Sequence, residues 1–146
     1  MTDTLSDEFR IDLIKKQKVF NQLNAQETQD LAALLSEKHF KMGDTLVNEG
    51  DVVDSILFIV EGRADVRHIT IVDGKPKIHS LALLGPGQAV GINESGFYSL
   101  TGRRTASVVA VTDLVTLFLS MPRFHGFALA YPHVNELMRQ KIIDQR

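Results

Sequence analysis

The sequence predicts a mainly β domain with flanking helices, an antiparallel jelly roll between N-terminal and C-terminal helical segments. Three observations predict it. Turn signals recur from about Lys38 to Ser120: Gly43-Asp44, Glu49-Gly50-Asp51, Glu61-Gly62, Asp73-Gly74 and Gly85-Pro86-Gly87. Short runs rich in β-branched residues lie between them. The flanks instead carry apolar residues at helical spacing.

The elements follow in order. Asp7 to Glu37 reads as helical, with Phe9, Leu13, Phe20, Leu31, Leu34 and Leu35 on helix-like spacings. Asn24 is a candidate N-cap with Glu27 three residues on, the pattern of a capping box. Strands are expected at Ser55–Val60, Ala64–Val72, Lys77–Leu84, Thr105–Val111 and Leu114–Leu119. Asp73-Gly74 is a two-residue hairpin turn, because both central positions of that turn need positive φ. That turn would set His68 opposite His79. Pro122 suits a first helical turn, Tyr131-Pro132 ends that helix, and a last one begins at His133 or Asn135. Val134, Leu137, Met138 and Ile142 share one of its faces.

The length of 146 residues suits a single domain, here 1–146, with helices over 7–37, the barrel over 38–120 and helices again over 122–146. Apolar residues make up 44% and charged residues 23%, and the net charge is −2. No global field favours nucleic acid or an anionic membrane. The chain has no cysteine, so disulfides, thiolate metal sites and a cysteine nucleophile are excluded. Met1 to Asp12 lacks the apolar core of a secretion signal, and Val108 to Met121 is too interrupted to span a bilayer. A cytoplasmic location is expected.

The chemistry concentrates in Gly91 to Ser107. Arg104 offers a planar fork that matches two phosphate oxygens. Thr105 adds a hydroxyl and a backbone N–H, and Ala106 another N–H. Ser95 to Leu100 is short enough for one helical turn, with Gly96 allowing close approach. Glu94 is the nearest carboxylate, and beside an anion it would be repulsive unless it faced another part of the ligand, such as a ribose hydroxyl. The bland reading has Arg103-Arg104 as a solvated pair and Glu94 as a turn cap.

The layout resembles the cyclic nucleotide-binding domain family over about Leu13 to Ile143. Phe40-x-x-Gly43-Asp44-x-Leu46-x-x-Glu49-Gly50-Asp51, Ile56-x-Phe58-Ile59-Val60-x-Gly62-x-Ala64-x-Val66 and Leu84-Gly85-Pro86-Gly87 are similar to its opening strands and to the turn before its phosphate-binding cassette. Glu94 falls on the cassette glutamate and Arg104-Thr105-Ala106 on the cassette's Arg-Ser/Thr-Ala ending. The resemblance implies that Arg104 pairs with the cyclic phosphate and Thr105 adds a hydroxyl. Ala106 and Ser95 would supply backbone donors, and Glu94 would take the ribose 2′-hydroxyl. Asn93 stands where the family has glycine; asparagine is the side chain that best tolerates the left-handed region. Ser95 stands where an apolar residue is common. A second alignment places Gly91 on that glycine and Ile92 on the glutamate position, with an insertion. The expected ligand-binding set is therefore Ile92, Asn93, Glu94, Ser95, Arg104, Thr105 and Ala106.

The function expected from the resemblance is a regulatory module for a cyclic mononucleotide, cAMP ahead of cGMP. The ligand would order the cassette and reposition the C-terminal helix, which could meet a protein partner or form a homodimer. No catalytic residue, cofactor or metal is expected. His68 and His79 lack a third ligand, and a metal-dependent jelly-roll enzyme would need clustered His and Glu. The chain ends at Arg146, which leaves no room for a helix-turn-helix, so no nucleic-acid contact is expected. The alternative, motivated by Asn93 and Ser95, is an interaction module that kept the fold and lost the nucleotide.

Overall fold

The computed structural model describes residues 5–93, 96–97 and 102–136. The chain begins with α1 (Asp7–Lys16), a 3-10 turn (Lys18–Phe20) and α2 (Ala25–Ala33). The Ser6 hydroxyl accepts from the Phe9 N–H to cap α1. Asn24 caps α2 with the full reciprocal box: its side chain accepts from the Glu27 N–H at 2.8 Å, and Glu27 accepts from the Asn24 N–H at 2.9 Å. The capping box is the one the sequence predicts. The helical zone is shorter than 7–37, because β1 (Ser36–Phe40) already belongs to a sheet.

Nine further strands follow: β2 (Thr45–Val47), β3 (Ser55–Glu61), β4 (Ala64–Val72), β5 (Lys75–Leu84), β6 (Ala89–Val90), β7 (Ile92–Asn93), β8 (Gly96–Phe97), β9 (Ser107–Ala110) and β10 (Leu114–Ser120). They form two four-stranded sheets, ordered β1-β10-β3-β6 and β2-β9-β4-β5, and a small β7-β8 pair. Every pairing is antiparallel. Non-consecutive neighbours such as β1 beside β10 make this a jelly roll, the predicted class. The strand at 105–111 is shorter than expected, and β5 starts two residues earlier.

β3 explains how barrel and helices cohere. Its run Ser55 to Ile59 is buried on both faces. Ile56 and Phe58 pack with Leu117, Leu119, Phe20, Leu31 and Phe124 in a core shared with the helices. Leu57 and Ile59 point the other way, into a core with Val90, Val108, Ala110 and Leu114. Successive side chains of a strand alternate faces, so an unbroken apolar run is what a strand covered on both sides requires.

The β4–β5 hairpin turns on Asp73-Gly74, with φ of 53° and 76°, and Val72 closes the loop opposite Lys75. His68 lies opposite His79, as the sequence predicts. The two rings nonetheless have separate partners: His68 Nδ1 lies 2.8 Å from Glu49 Oε1, and His79 Nε2 lies 3.1 Å from Thr70 Oγ1. Among the described residues no three His, Asp or Glu side chains form a group able to hold a metal.

After the barrel, α3 (Met121–Ala130) starts on the Ser120 hydroxyl, which accepts from the Arg123 N–H, with proline in its first turn. It ends at Tyr131, and residues 132–136 are helical again, starting ahead of both predicted positions, His133 and Asn135. Val134 is fully buried in the core shared with the helices. The Tyr131 hydroxyl donates to the Asp30 carboxylate of α2, and His133 Nε2 lies 3.2 Å from the Gln22 carbonyl. Leu137, Met138 and Ile142 lie outside the described residues. No helix among the described residues is long and apolar enough to cross a membrane.

Candidate functional site

The site is built where the segment 102–104 crosses the loop before β3. The Arg104 N–H donates to the Asp51 carbonyl at 2.7 Å, the Gly50 N–H to the Arg104 carbonyl at 2.8 Å, and the Val53 N–H to the Gly102 carbonyl at 2.7 Å. These bonds fix the backbone on both sides of Arg104. The guanidinium then turns into the barrel wall, and the residue is 6% exposed. The expectation of a solvated arginine pair therefore holds for Arg103 alone. Arg103 is exposed and donates through Nη1 to the Gly50 carbonyl at 3.0 Å.

Inside, Arg104 Nη2 donates to the Ser55 carbonyl at 2.8 Å, to Ser55 Oγ at 3.2 Å and toward Asp54 Oδ1 at 3.5 Å. Its Nη1 is buried and has no hydrogen-bond partner among the described residues. Burial lowers the guanidinium pKa from its ordinary value, and the nearby Asp54 and Asp51 carboxylates oppose that effect. An arginine remains charged in a protein, so the site holds a cation with an unspent donor. A buried donor without a partner costs about 1–3 kcal/mol, more when charged. An anion at this point would recover that cost.

Gly91 makes room for this cation. At φ of +95°, a Cβ on it would stand 2.8 Å from Arg104 Nη1 and 3.3 Å from the Ser55 carbonyl oxygen. The left-handed residue of this turn is therefore Gly91. Asn93 lies in β7, opposite Gly96, with Ile92 opposite Phe97. Gly96-Phe97 is thus strand, where a helical turn over Ser95 to Leu100 was expected. Glu94 and Ser95 lie outside the described residues, as do residues 98–101. Thr105 is exposed and Ala106 half-buried, on the two bends before β9.

Sequence reasoning missed Asp54 and Ser55, and reached Gly91 only through the second alignment. The signal available was indirect: an arginine inserted in a barrel wall needs an acceptor there, and Asp54-Ser55 opens the most apolar strand. The site also touches the end of the barrel. The Met121 N–H donates to the Asp54 carbonyl at 2.8 Å, and Ser55 is the register partner of Ser120, the cap of α3.

Comparison with known proteins bears on the family and the fold. The family model described as "Cyclic nucleotide-binding domain" matches residues 37–131. The chain is 33% identical over 92 residues to the Pycsar effector protein XpPycTIR of Xanthomonas perforans, a match that covers 63% of this chain and 27% of that protein. The matched region thus spans about a quarter of that curated relative. Among solved structures, the cAMP-bound regulatory domain of Toxoplasma gondii PKA superposes with a TM-score of 0.70 at 20% identity, over 87% of this chain and 46% of that one. The regulatory subunit of a cAMP-independent protein kinase A from Trypanosoma brucei, solved as a triple mutant with cAMP, gives 0.64 at 26% identity over 94% and 44%. A jelly roll with flanking helices, a buried arginine after a glycine turn and a match over residues 37–131 together place the chain in the cyclic nucleotide-binding domain family.

Proposed function

We propose that the chain is a regulatory module that binds a cyclic mononucleotide, with cAMP preferred to cGMP, and that residues 1–146 form one such domain. The observation that carries this reading is the buried, unpartnered Nη1 of Arg104. A cyclic phosphate is an anion of the size and charge that this donor lacks. In this reading Thr105 adds its hydroxyl, Ala106 and Ser95 their N–H groups, and Glu94 receives the ribose 2′-hydroxyl. Ile92 and Asn93 form the strand that leads into the cassette. The preference for cAMP draws support from the cAMP held by the Toxoplasma neighbour.

The module acts through its end rather than by catalysis. Arg104 bonds to Ser55, and the loop before Ser55 holds the Met121 N–H of α3. A ligand that draws on Arg104 loads this joint, and the segment after α3 shifts toward a protein partner or a second copy. The shift is limited by the ligand's differential affinity for the two arrangements. Calorimetry with cAMP, cGMP and cyclic dinucleotides tests the reading. Heat from cAMP above that from cGMP supports it; no heat from any of them at high concentration sinks it.

Asp54 favours a second reading, an interaction module that lost the nucleotide, because an internal carboxylate stands beside Arg104. The contact is weak, since it is 3.5 Å long and the Asp54 side chain is 81% exposed. The alternative predicts no heat with any cyclic nucleotide, even in an Asp54→Asn variant.

A further inference from the structure

The strands beside Arg104 bring a histidine to the inward face of the barrel. β9 and β4 pair from Ala110 opposite Ala64 to Ser107 opposite Arg67. Residues directly opposite in a ladder share a face, and faces alternate along a strand. Ala64 and Val66 of β4, with Val108 and Ala110 of β9, face the barrel core. The next inward position on β4 is His68. Carrying the register one step past Ser107 sets His68 beside Ala106, at the bend that leads into β9.

Two contacts tie His68 to that segment. Its Nδ1 lies 2.8 Å from Glu49 Oε1, and the Glu49 N–H donates to Ser107 Oγ at 3.0 Å. The next two residues of the same loop, Gly50 and Asp51, hold the backbone of Arg104. The imidazole and the arginine are thus positioned by one short stretch of chain. Glu49 also decides which ring nitrogen carries the proton. A carboxylate only accepts, and a bare Nδ1 lone pair facing it at 2.8 Å would be repelled. In the neutral ring the proton therefore sits on Nδ1, and Nε2 is left as an acceptor. That Nε2 has no hydrogen-bond partner among the described residues, and the side chain is partly exposed. Thr70, the next polar residue on this face of β4, bonds instead to His79 Nε2 at 3.1 Å.

We infer that His68 selects the base of the cyclic nucleotide, its Nε2 accepting a hydrogen bond from an exocyclic amine such as the 6-amine of adenine. The inference rests on the ligand reading above. With the phosphate on Arg104 and the N–H groups that follow it, the sugar carries the base away from that anchor. Along the inward face of β4 the base meets an acceptor that has no other bond. An amine satisfies this acceptor. The 6-keto oxygen of guanine is itself an acceptor, so it sets lone pair against lone pair and leaves both groups unsatisfied. Glu49 acts as a positioning residue, holding the ring in the tautomer that reads the amine.

Calorimetry at about pH 8, where an imidazole is ordinarily neutral, tests this with cAMP, cGMP and the 3′,5′-cyclic phosphate of purine riboside, which lacks the 6-amine. The wild type should bind cAMP roughly three- to tenfold more tightly than the analogue without the amine, and cGMP least tightly. His68→Phe should bring cAMP and that analogue to equal affinity, whereas Arg104→Ala should weaken all three ligands by a common factor. Glu49→Leu lets the proton move to Nε2, so it should lower the ratio of cAMP to cGMP affinity without weakening the analogue. Equal binding of cAMP and the analogue by the wild type would overturn the inference. So would a preference for cAMP that His68→Phe retains, or a ratio that Glu49→Leu leaves unchanged. The cyclic nucleotide reading survives each of those results, while a chain that binds none of the three ligands loses both.

Discussion

Arg104 and Ser55 are joined by a 2.8 Å hydrogen bond from the guanidinium Nη2 to the main-chain carbonyl. Because the acceptor is backbone, no side-chain substitution at position 55 removes it. The cation is therefore positioned by the fold of β3 itself, and its second nitrogen stays available.

Replacing Arg104 by alanine should weaken cAMP binding by tenfold or more, since each charge-assisted bond contributes about 1.5–3 kcal/mol. Arg104→Lys should recover only part of the affinity, because a point charge cannot replace the fork. Arg103→Ala should change little. Calorimetry on the three variants checks the order.

Asp54→Asn should raise affinity for the cyclic nucleotide by a few-fold at most. An exposed ion pair contributes about 0–1 kcal/mol, and Asp54 is largely solvent-exposed. The gain should shrink as salt is added, which titrations at two ionic strengths would show.

Gly91→Ala should destabilise the fold by about 1–3 kcal/mol, the cost of holding a side chain at strongly positive φ. It should also displace Arg104 Nη1, which the new methyl would approach at 2.8 Å. Loss of affinity beyond the loss of thermal stability distinguishes the second effect from the first.

Acid should reveal Asp65. A hydrogen bond from the Ser80 hydroxyl, and then the Arg67 guanidinium, hold its pKa below the ordinary value against the opposing effect of burial. A depressed folded-state pKa stabilises the protein above the unfolded value, near 3.9. That contribution disappears as pH falls through the folded-state pKa. Asp65→Asn should flatten this part of the stability curve below about pH 5, measured by denaturant unfolding.

Base should reveal Tyr131. The hydrogen bond to Asp30, and then burial, raise the phenol above its ordinary value of 10.0. Its contribution is present below that value and lost as pH rises through the folded-state pKa. Tyr131→Phe should remove the alkaline sensitivity and loosen the hold of the segment after α3 on α2, read as faster hydrogen exchange at residues 132–136.

The parts legible in the sequence were those governed by local rules. Asn24 and Glu27 carry a capping pattern, Asp73-Gly74 can form only a few turns, and Leu114 to Leu119 is a short apolar run bounded by a turn signal. Arg104 stood out in the sequence because its neighbours repeat a known pattern. The burial of Arg104 was not, since it depends on Ser55, 49 residues away. The glycine turn was also misplaced: asparagine tolerates positive φ, but only the pairing of Asn93 with Gly96 shows that it has no need to adopt it. The early start of β1 has the same origin, because Ser36 is strand only by its pairing with Phe118.

β3 behaves as a party wall between two compartments. Lifting the helices off the barrel would strip Ile56 and Phe58, each fully buried, and a buried residue of this kind contributes about 1.5–3 kcal/mol. Detaching the helical layer would thus cost several kcal/mol from these two residues alone. Under the proposed regulatory reading, a message would leave the barrel with the helices still seated.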